Sequence, residues 1–222
     1  MNALSTPSSS LNALRLLARV PVTAVIAAAA LATAAIPGLA ATIQFDRAAI
    51  AAGDAWRLVT CHLTHWNGEH LLWDLLMFVV LGAICEWRNP RQMRLCVAIS
   101  AVAVAMSVLW AFPGIQLYRG LSGIDTALFT LLAIDLLYEA WRDRNPLQAM
   151  CTGGLLLALT AKIAYEAIGG QTIFVEQDAA DFVPLVWDHV AGAAAGIVIA
   201  TCGKIGFPRP QARQLAFPRP AA

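Results

Sequence analysis

Six stretches of the chain are apolar for long enough to cross a bilayer as helices: residues 18–37, 70–87, 93–112, 122–141, 147–168 and 184–203. Crossing about 30 Å of hydrocarbon takes roughly 20 helical residues at about 1.5 Å each. None of the six reads as a strand, and a barrel needs alternating segments of about ten residues. The breaks carry turn punctuation at Pro37-Gly38, Asn89-Pro90, Pro113-Gly114, Asn145-Pro146, Gly169-Gly170 and Pro184. Composition agrees: 59% of the 222 residues are hydrophobic and 13% charged, against roughly 45–50% and 25% in a soluble domain. That is more apolar mass than a core of this size buries, so lipid is the expected solvent.

Other classes fall away. The net charge is +1 with dispersed basic residues, which excludes a nucleic-acid binder, and the apolar content excludes disorder. The five cysteines are odd in number and form no CxxC, so they read as small packing residues rather than a disulfide framework. The expected fold is an all-α membrane protein of six transmembrane helices. A cytoplasmic segment occupies 1–17, the membrane domain 18–204 and a cytoplasmic tail 205–222, with no soluble domain.

Orientation follows from lysine and arginine. With the N-terminus inside, the inner segments collect Arg15, Arg19, Arg88, Arg91, Arg94, Arg142, Arg144, Lys204, Arg209, Arg213 and Arg219, while the outer loops hold only Arg47, Arg57 and Arg119. Both termini are therefore expected in the cytoplasm. The first stretch also has signal-peptide features, with Arg15 and Arg19 ahead of an Ala-rich run and small residues near Leu39-Ala40-Ala41. Its apolar run is longer than the usual signal core, and its removal leaves the other five spans oriented as before.

Ionisable groups inside a span are costly, so each is a functional suspect unless it pairs or snorkels. His70 and Asp74 fall in the first turns of the second span, Ser122 and Asp125 open the fourth, Lys162 and Glu166 lie in the outer part of the fifth, and Asp188 and His189 begin the sixth. Four helices thus place polar groups at one depth, near the outer surface. The plainer reading of Lys162 and Glu166 is mutual neutralisation at i,i+4 spacing. Asp135 and Glu139 share that spacing nearer the inner side; Glu139 can snorkel, and the spacing names no partner for Asp135. Glu86 and Trp87 sit where capping and interfacial roles are ordinary.

Gly120-Leu121-Ser122-Gly123 sets a serine between close glycines as a loop becomes a helix. The plain reading of such a serine is a helix N-cap. His189-x-x-Gly192-x-x-x-Gly196 adds a small-xxx-small surface on the sixth span. If it packs on Gly123 and Ala127 of the fourth span, His189 comes beside Ser122, where a neutral imidazole can accept the serine proton. His62, His65, Glu69, His70 and Asp74 suggest zinc at first glance, but only His70 and Asp74 share a helix face and no H-E-x-x-H is present. No metal or other cofactor is expected. The alternative use of His70 is to point a ring N–H at a developing oxyanion beside the Ser122 backbone N–H.

Together these residues resemble the rhomboid family of intramembrane serine proteases. The resemblance is carried by Trp56-Arg57, His65, His70, Asp74, Gly82, Glu86, Gly120-Leu121-Ser122-Gly123 and His189-x-x-Gly192-x-x-x-Gly196, over residues 56–200. It implies a six-helix rhomboid-like bundle with a Ser122–His189 dyad in a water-filled cavity opening outward. It also implies His70 in the oxyanion hole and His65 and the Trp56-Arg57 loop as support. The implied partners are the lipid bilayer and a membrane-anchored protein, cut near the outer end of its transmembrane segment. The implied location is the inner membrane of a bacterium.

Two positions depart from the family pattern. Asp74 stands where an asparagine is usual, so it must be protonated, be turned toward His70, or play no oxyanion role. Thr126 stands where many members have an aromatic residue. Gly-Leu-Ser-Gly and Trp66-Asn67 are similar to the rhombosortase subgroup, which trims proteins bearing a C-terminal Gly-Gly, helix and basic-tail anchor. As a third acid, Asp188 points about 100° from His189 on a helix and is badly placed. Asp125 lies one turn below Ser122 and within expected reach of His189 or Lys162, leaving a dyad as the default. The rival functions are a proteolytically inactive relative that binds transmembrane segments, and a haem or metal protein using His70 and His189.

Overall fold

The computed structural model describes residues 20–169 and 186–206. The N-terminal segment expected over 1–17, the start of the first expected span at 18–19, the breaks at Gly170 and Pro184, and the tail from 207 lie outside them. In chain order the helices are α1 (Pro21–Ala35), the short α2 (Leu39–Ile43), α3 (Arg47–Ala51) and α4 (Arg57–Thr60), then α5 (Gly68–Arg88), α6 (Pro90–Ala111), α7 (Ser122–Arg142), α8 (Pro146–Gly169) and α9 (Val186–Gly206). A 3-10 turn, Cys61–Leu63, follows α4. The chain is an all-α membrane bundle.

The connections follow local chemistry. Asn89 accepts a hydrogen bond from the Gln92 N–H at 3.2 Å, and Asn145 accepts one from the Gln148 N–H at 3.1 Å. Each asparagine is followed by a proline at the first helical position, whose missing N–H costs nothing there. Asn67 caps α5 in the same way, accepting from the His70 N–H at 2.8 Å. These turns put Arg88, Arg91, Arg94, Arg142 and Arg144 at one end of the bundle; α5, α7 and α9 begin at the other.

Among the described helices, α5, α6, α8 and α9 are long and apolar enough to cross a membrane. Two expected spans differ. Among its described residues the first is helical over Pro21–Ala35, 15 residues, and stops where Ile36 turns extended and Gly38 takes φ +80°. The fourth, α7, carries Asp125, Asp135, Glu139 and Arg142. It tolerates them because it is the central helix, packed by α5, α6, α8 and α9. Glu139 does not snorkel alone: both its oxygens accept from Arg88 of α5, at 2.8 and 2.7 Å.

α1 is held by its polar end. The buried Glu86 of α5 accepts from the Val22 N–H at 3.0 Å, the Thr23 N–H at 2.9 Å and the Thr23 hydroxyl at 2.8 Å. A carboxylate there satisfies first-turn donors that have no intrahelical acceptor and lies at the favourable pole of the helix dipole. Gly82 makes room, since a Cβ there would sit 3.0 Å from the Thr23 hydroxyl oxygen. Glu86→Ala strands these donors and should lower stability by about 2 kcal/mol, measured by thermal unfolding in detergent.

The long segment between α1 and α5, which the sequence pattern leaves blank, is structured. Its strand β1 (Phe45–Asp46) pairs antiparallel with β2 (Leu117–Tyr118), in the register Phe45 to Tyr118 and Asp46 to Leu117. Arg47 then donates to the carbonyls of Val108 (2.8 Å), Leu109 (2.7 Å), Phe112 (2.8 Å) and Ile115 (2.8 Å). Val108 and Leu109 lie in the last turn of α6, where carbonyls lack intrahelical donors and a cation also complements the dipole.

Candidate active site

Ser122 is the first residue of α7, and the loop before it is tightly anchored. Gly120 has φ +124°, and a Cβ there would lie 2.8 Å from His70 Nε2 and 3.1 Å from Asp74 Oδ2. Only glycine meets both the backbone and the space requirement. His62, 2% exposed, sets its ring nitrogens 3.0 Å from the Gly120 carbonyl and 2.9 Å from that of Ala101. Burial holds this imidazole's pKa below the ordinary histidine value.

The serine hydroxyl is not spent as an N-cap. Leu121 occupies that position, and Ser122 Oγ donates instead to Asp188 Oδ2 at 3.1 Å. The partner comes from α9, which crosses α7 closely. A Cβ on Gly192 would overlap the Gly123 carbonyl, and one on Gly196 would meet the Ala127 carbonyl. This seam brings the first turn of α9 to the serine. His189 lies on it, 9% exposed, with Nε2 3.6 Å from Asp188 Oδ1 and Nδ1 3.1 Å from Glu166 Oε2 of α8. Among the described residues Ser122 Oγ makes no hydrogen bond to His189.

The surroundings of three acids add to what their spacing predicts. Asp188, expected to be badly placed, takes hydrogen bonds from both Ser122 and Tyr118, each 3.1 Å long. This end of α9 is enclosed on two sides, and the helical angle sends its two polar residues to different neighbours. Asp188 faces β2 and α7 while His189 faces α8. Burial pushes the Tyr118 phenol well above its ordinary pKa, with Asp188 adding to the shift, so it stays a donor. Lys162 and Glu166 do pair, at 2.8 Å, but Glu166 also faces His189. Asp125 is buried yet makes no ion pair with His189 or Lys162 among the described residues, and Thr126 donates back to the Ser122 carbonyl at 2.9 Å.

On the other side of Ser122, one oxygen of Asp74 is a hub. Oδ2 accepts from the Leu121 N–H at 2.7 Å and lies 3.2 Å from Nε2 of both His65 and His70. Of the three arrangements open to Asp74, the carboxyl is turned toward His70. His70 Nδ1 faces the Trp66 N–H at 3.4 Å, which leaves Nε2 as the nitrogen that donates to Asp74. Its expected oxyanion donor is therefore engaged in this arrangement. Arg119 braces the same corner, donating to Gln44 at 2.6 Å and to the His65 carbonyl at 3.1 Å, with its guanidinium 4.5 Å from the Trp66 ring centre. No group of three or more His, Cys, Asp or Glu among the described residues is arranged to hold a metal ion.

The sequence pattern does not announce Tyr118, the bonds of Asp188 to Ser122 and Tyr118, or the second contact of Glu166. Tyr118 carries no signal, whereas adjacency to His189 and equal depth were available for the other two. A family model described as Rhomboid domain matches residues 52–204. Comparison with curated proteins found no match.

Proposed function

The chain belongs to the rhomboid family, generally intramembrane serine proteases, and on that premise we propose that it is an intramembrane serine endopeptidase using Ser122 and His189. The observation that supports this reading is the glycine seam, which packs α7, opened by Ser122, closely against α9, whose first turn carries His189. A membrane-anchored protein is the substrate, cut near the outer end of its transmembrane segment, with the site near the outer face and both termini cytoplasmic. The host is the inner membrane of a bacterium. The finer assignment is the rhombosortase subgroup, removing a C-terminal anchor.

When substrate arrives, Ser122 turns from Asp188 to His189 Nε2, since catalytic hydrogen bonds often tighten only in the complex. Nε2 takes the hydroxyl proton as Oγ bonds to the scissile carbonyl carbon, whose π electrons become the oxyanion. The Ser122 N–H and the His70 ring N–H hold that charge once His70 swings from Asp74. His189 then protonates the leaving amine as the C–N bond breaks, and water hydrolyses the acyl-enzyme by the reverse proton path.

The test is covalent labelling by a fluorophosphonate. Wild-type protein should label, and Ser122→Ala, still folded in the membrane, should not; equal labelling of Ser122→Ala would sink the reading. A second reading, an inactive relative that binds transmembrane segments, is favoured by the Ser122–Asp188 hydrogen bond, which leaves the serine off the histidine. Folded wild type that neither labels nor cleaves selects it.

A further inference from the structure

We propose that Glu166 is the positioning residue for His189: its carboxylate holds the Nδ1 edge of the imidazole, so that Nε2 is presented toward Ser122 as the free base. This rests on the serine-protease reading above.

α8 runs for 24 residues, and within it only Thr152 and Glu166 are buried. Glu166 is 2% exposed on a helix whose other residues, Thr152 aside, are half-buried or exposed. A carboxylate is an expensive group to bury without a use or a partner. Its Oε2 has two neighbours, Lys162 Nζ at 2.8 Å and His189 Nδ1 at 3.1 Å. Lys162 supplies a countercharge, and its side chain is 24% exposed.

The other nearby acids do not serve. Asp188 is taken up by Ser122 and Tyr118, and its free oxygen faces Nε2, the nitrogen that has to remain a base. Asp125 makes no ion pair with the ring among the described residues, and Asp74 is engaged with His65, His70 and Leu121. Glu166 alone among these meets Nδ1.

Which imidazole nitrogen carries the proton is decided by the bond the other one makes. Oε2 of Glu166 lies 3.1 Å from Nδ1, although no hydrogen bond is formed there in this arrangement; once Nδ1–H turns onto it, the lone pair belongs to Nε2. In the acylation step the Ser122 proton moves to Nε2 while Oγ bonds to the carbonyl carbon. The resulting imidazolium is stabilised between its new Nε2–H and the carboxylate at Nδ1. Glu166 receives no proton, and the Nε2 proton leaves with the amine as the C–N bond breaks.

The experiment compares wild type with Glu166→Gln and Glu166→Ala in detergent, reading fluorophosphonate labelling, cleavage of a transmembrane substrate, thermal stability and the 15N shifts of labelled histidine. His189→Ala assigns the resonances and Ser122→Ala sets the chemical background. Wild-type His189 at alkaline pH should show the Nδ1–H tautomer. Glu166→Ala should show a mixture, with kcat down about 100-fold at unchanged KM. Glu166→Gln, which still accepts from Nδ1–H, should recover about tenfold of that loss. If Glu166→Ala does not fold, the isosteric Glu166→Gln still decides, by a fall in kcat of about tenfold. Unchanged tautomer and kcat in the Gln variant, with Ser122→Ala silent, overturn the positioning role. Labelling that survives Ser122→Ala overturns the protease reading instead.

Discussion

Gly192→Ala should dismantle the site while changing a single methyl group. The added carbon overlaps the carbonyl of Gly123, which is backbone rather than a side chain that can swing away. Relief requires α9 to move off α7 along the seam that also seats Gly196 on Ala127. Overpacking of this kind costs about 3 kcal/mol, a large part of the stability of a typical fold. The same displacement carries His189 from Ser122, and a shift of about 1 Å at a reacting group can cost about 100-fold in rate. The control is Gly153→Ala or Gly154→Ala on α8, where nothing lies within 4 Å of the new carbon. There the better helix propensity of alanine should stabilise by up to about 1 kcal/mol. Unfolding curves and labelling rates of the three variants check both signs. A Gly192→Ala protein as stable and reactive as wild type would mean that the helices do not meet so closely.

The second large effect belongs to Asp74, and it divides by substitution. Asp74→Ala removes the acceptor of the Leu121 N–H and the shared neighbour of His65 and His70. Removing one member of a buried, hydrogen-bonded charge cluster costs about 3–5 kcal/mol. Asp74→Asn keeps the shape and an acceptor for Leu121, so its stability should stay within about 1 kcal/mol of wild type. Its chemistry should move the other way. A carboxylate beside the His70 ring opposes a developing oxyanion and occupies the donor that would hold it. An amide carries no charge to oppose it and holds the His70 N–H more weakly, and labelling should quicken by about tenfold, a modest fraction of what one oxyanion donor supplies. Slower labelling by Asp74→Asn would place the carboxylate among the groups that the reaction needs.

What could be read from the residues divides by the range of the interaction. The Asn-Pro turns, the small residues along α7 and α9 and the arginines at one end are local patterns, and they carry most of the architecture. Glu166 was hidden because Lys162 at i,i+4 is a sufficient partner on its own helix, and nothing in the spacing announces a ring from α9. The helical angle turns Asp188 from His189, but it describes one helix and says nothing of the partners that α7 and β2 supply. The loop between α1 and α5 was opaque for a different reason. Arg47 and Arg57 bind main-chain carbonyls, and a backbone acceptor has no side-chain signature.

The Arg47 guanidinium has a mechanical consequence. Four hydrogen bonds tie the segment carrying β1 to the end of α6, and the β1–β2 pair ties it to the strand leading into Ser122. That flank of the molecule is stiff, and bending it means breaking several bonds together. α8 has only Thr152 and Glu166 buried, so it is the compliant flank. A load applied to the bundle is expected to be taken up on the α8 side, where Glu166 lies 3.1 Å from the His189 ring.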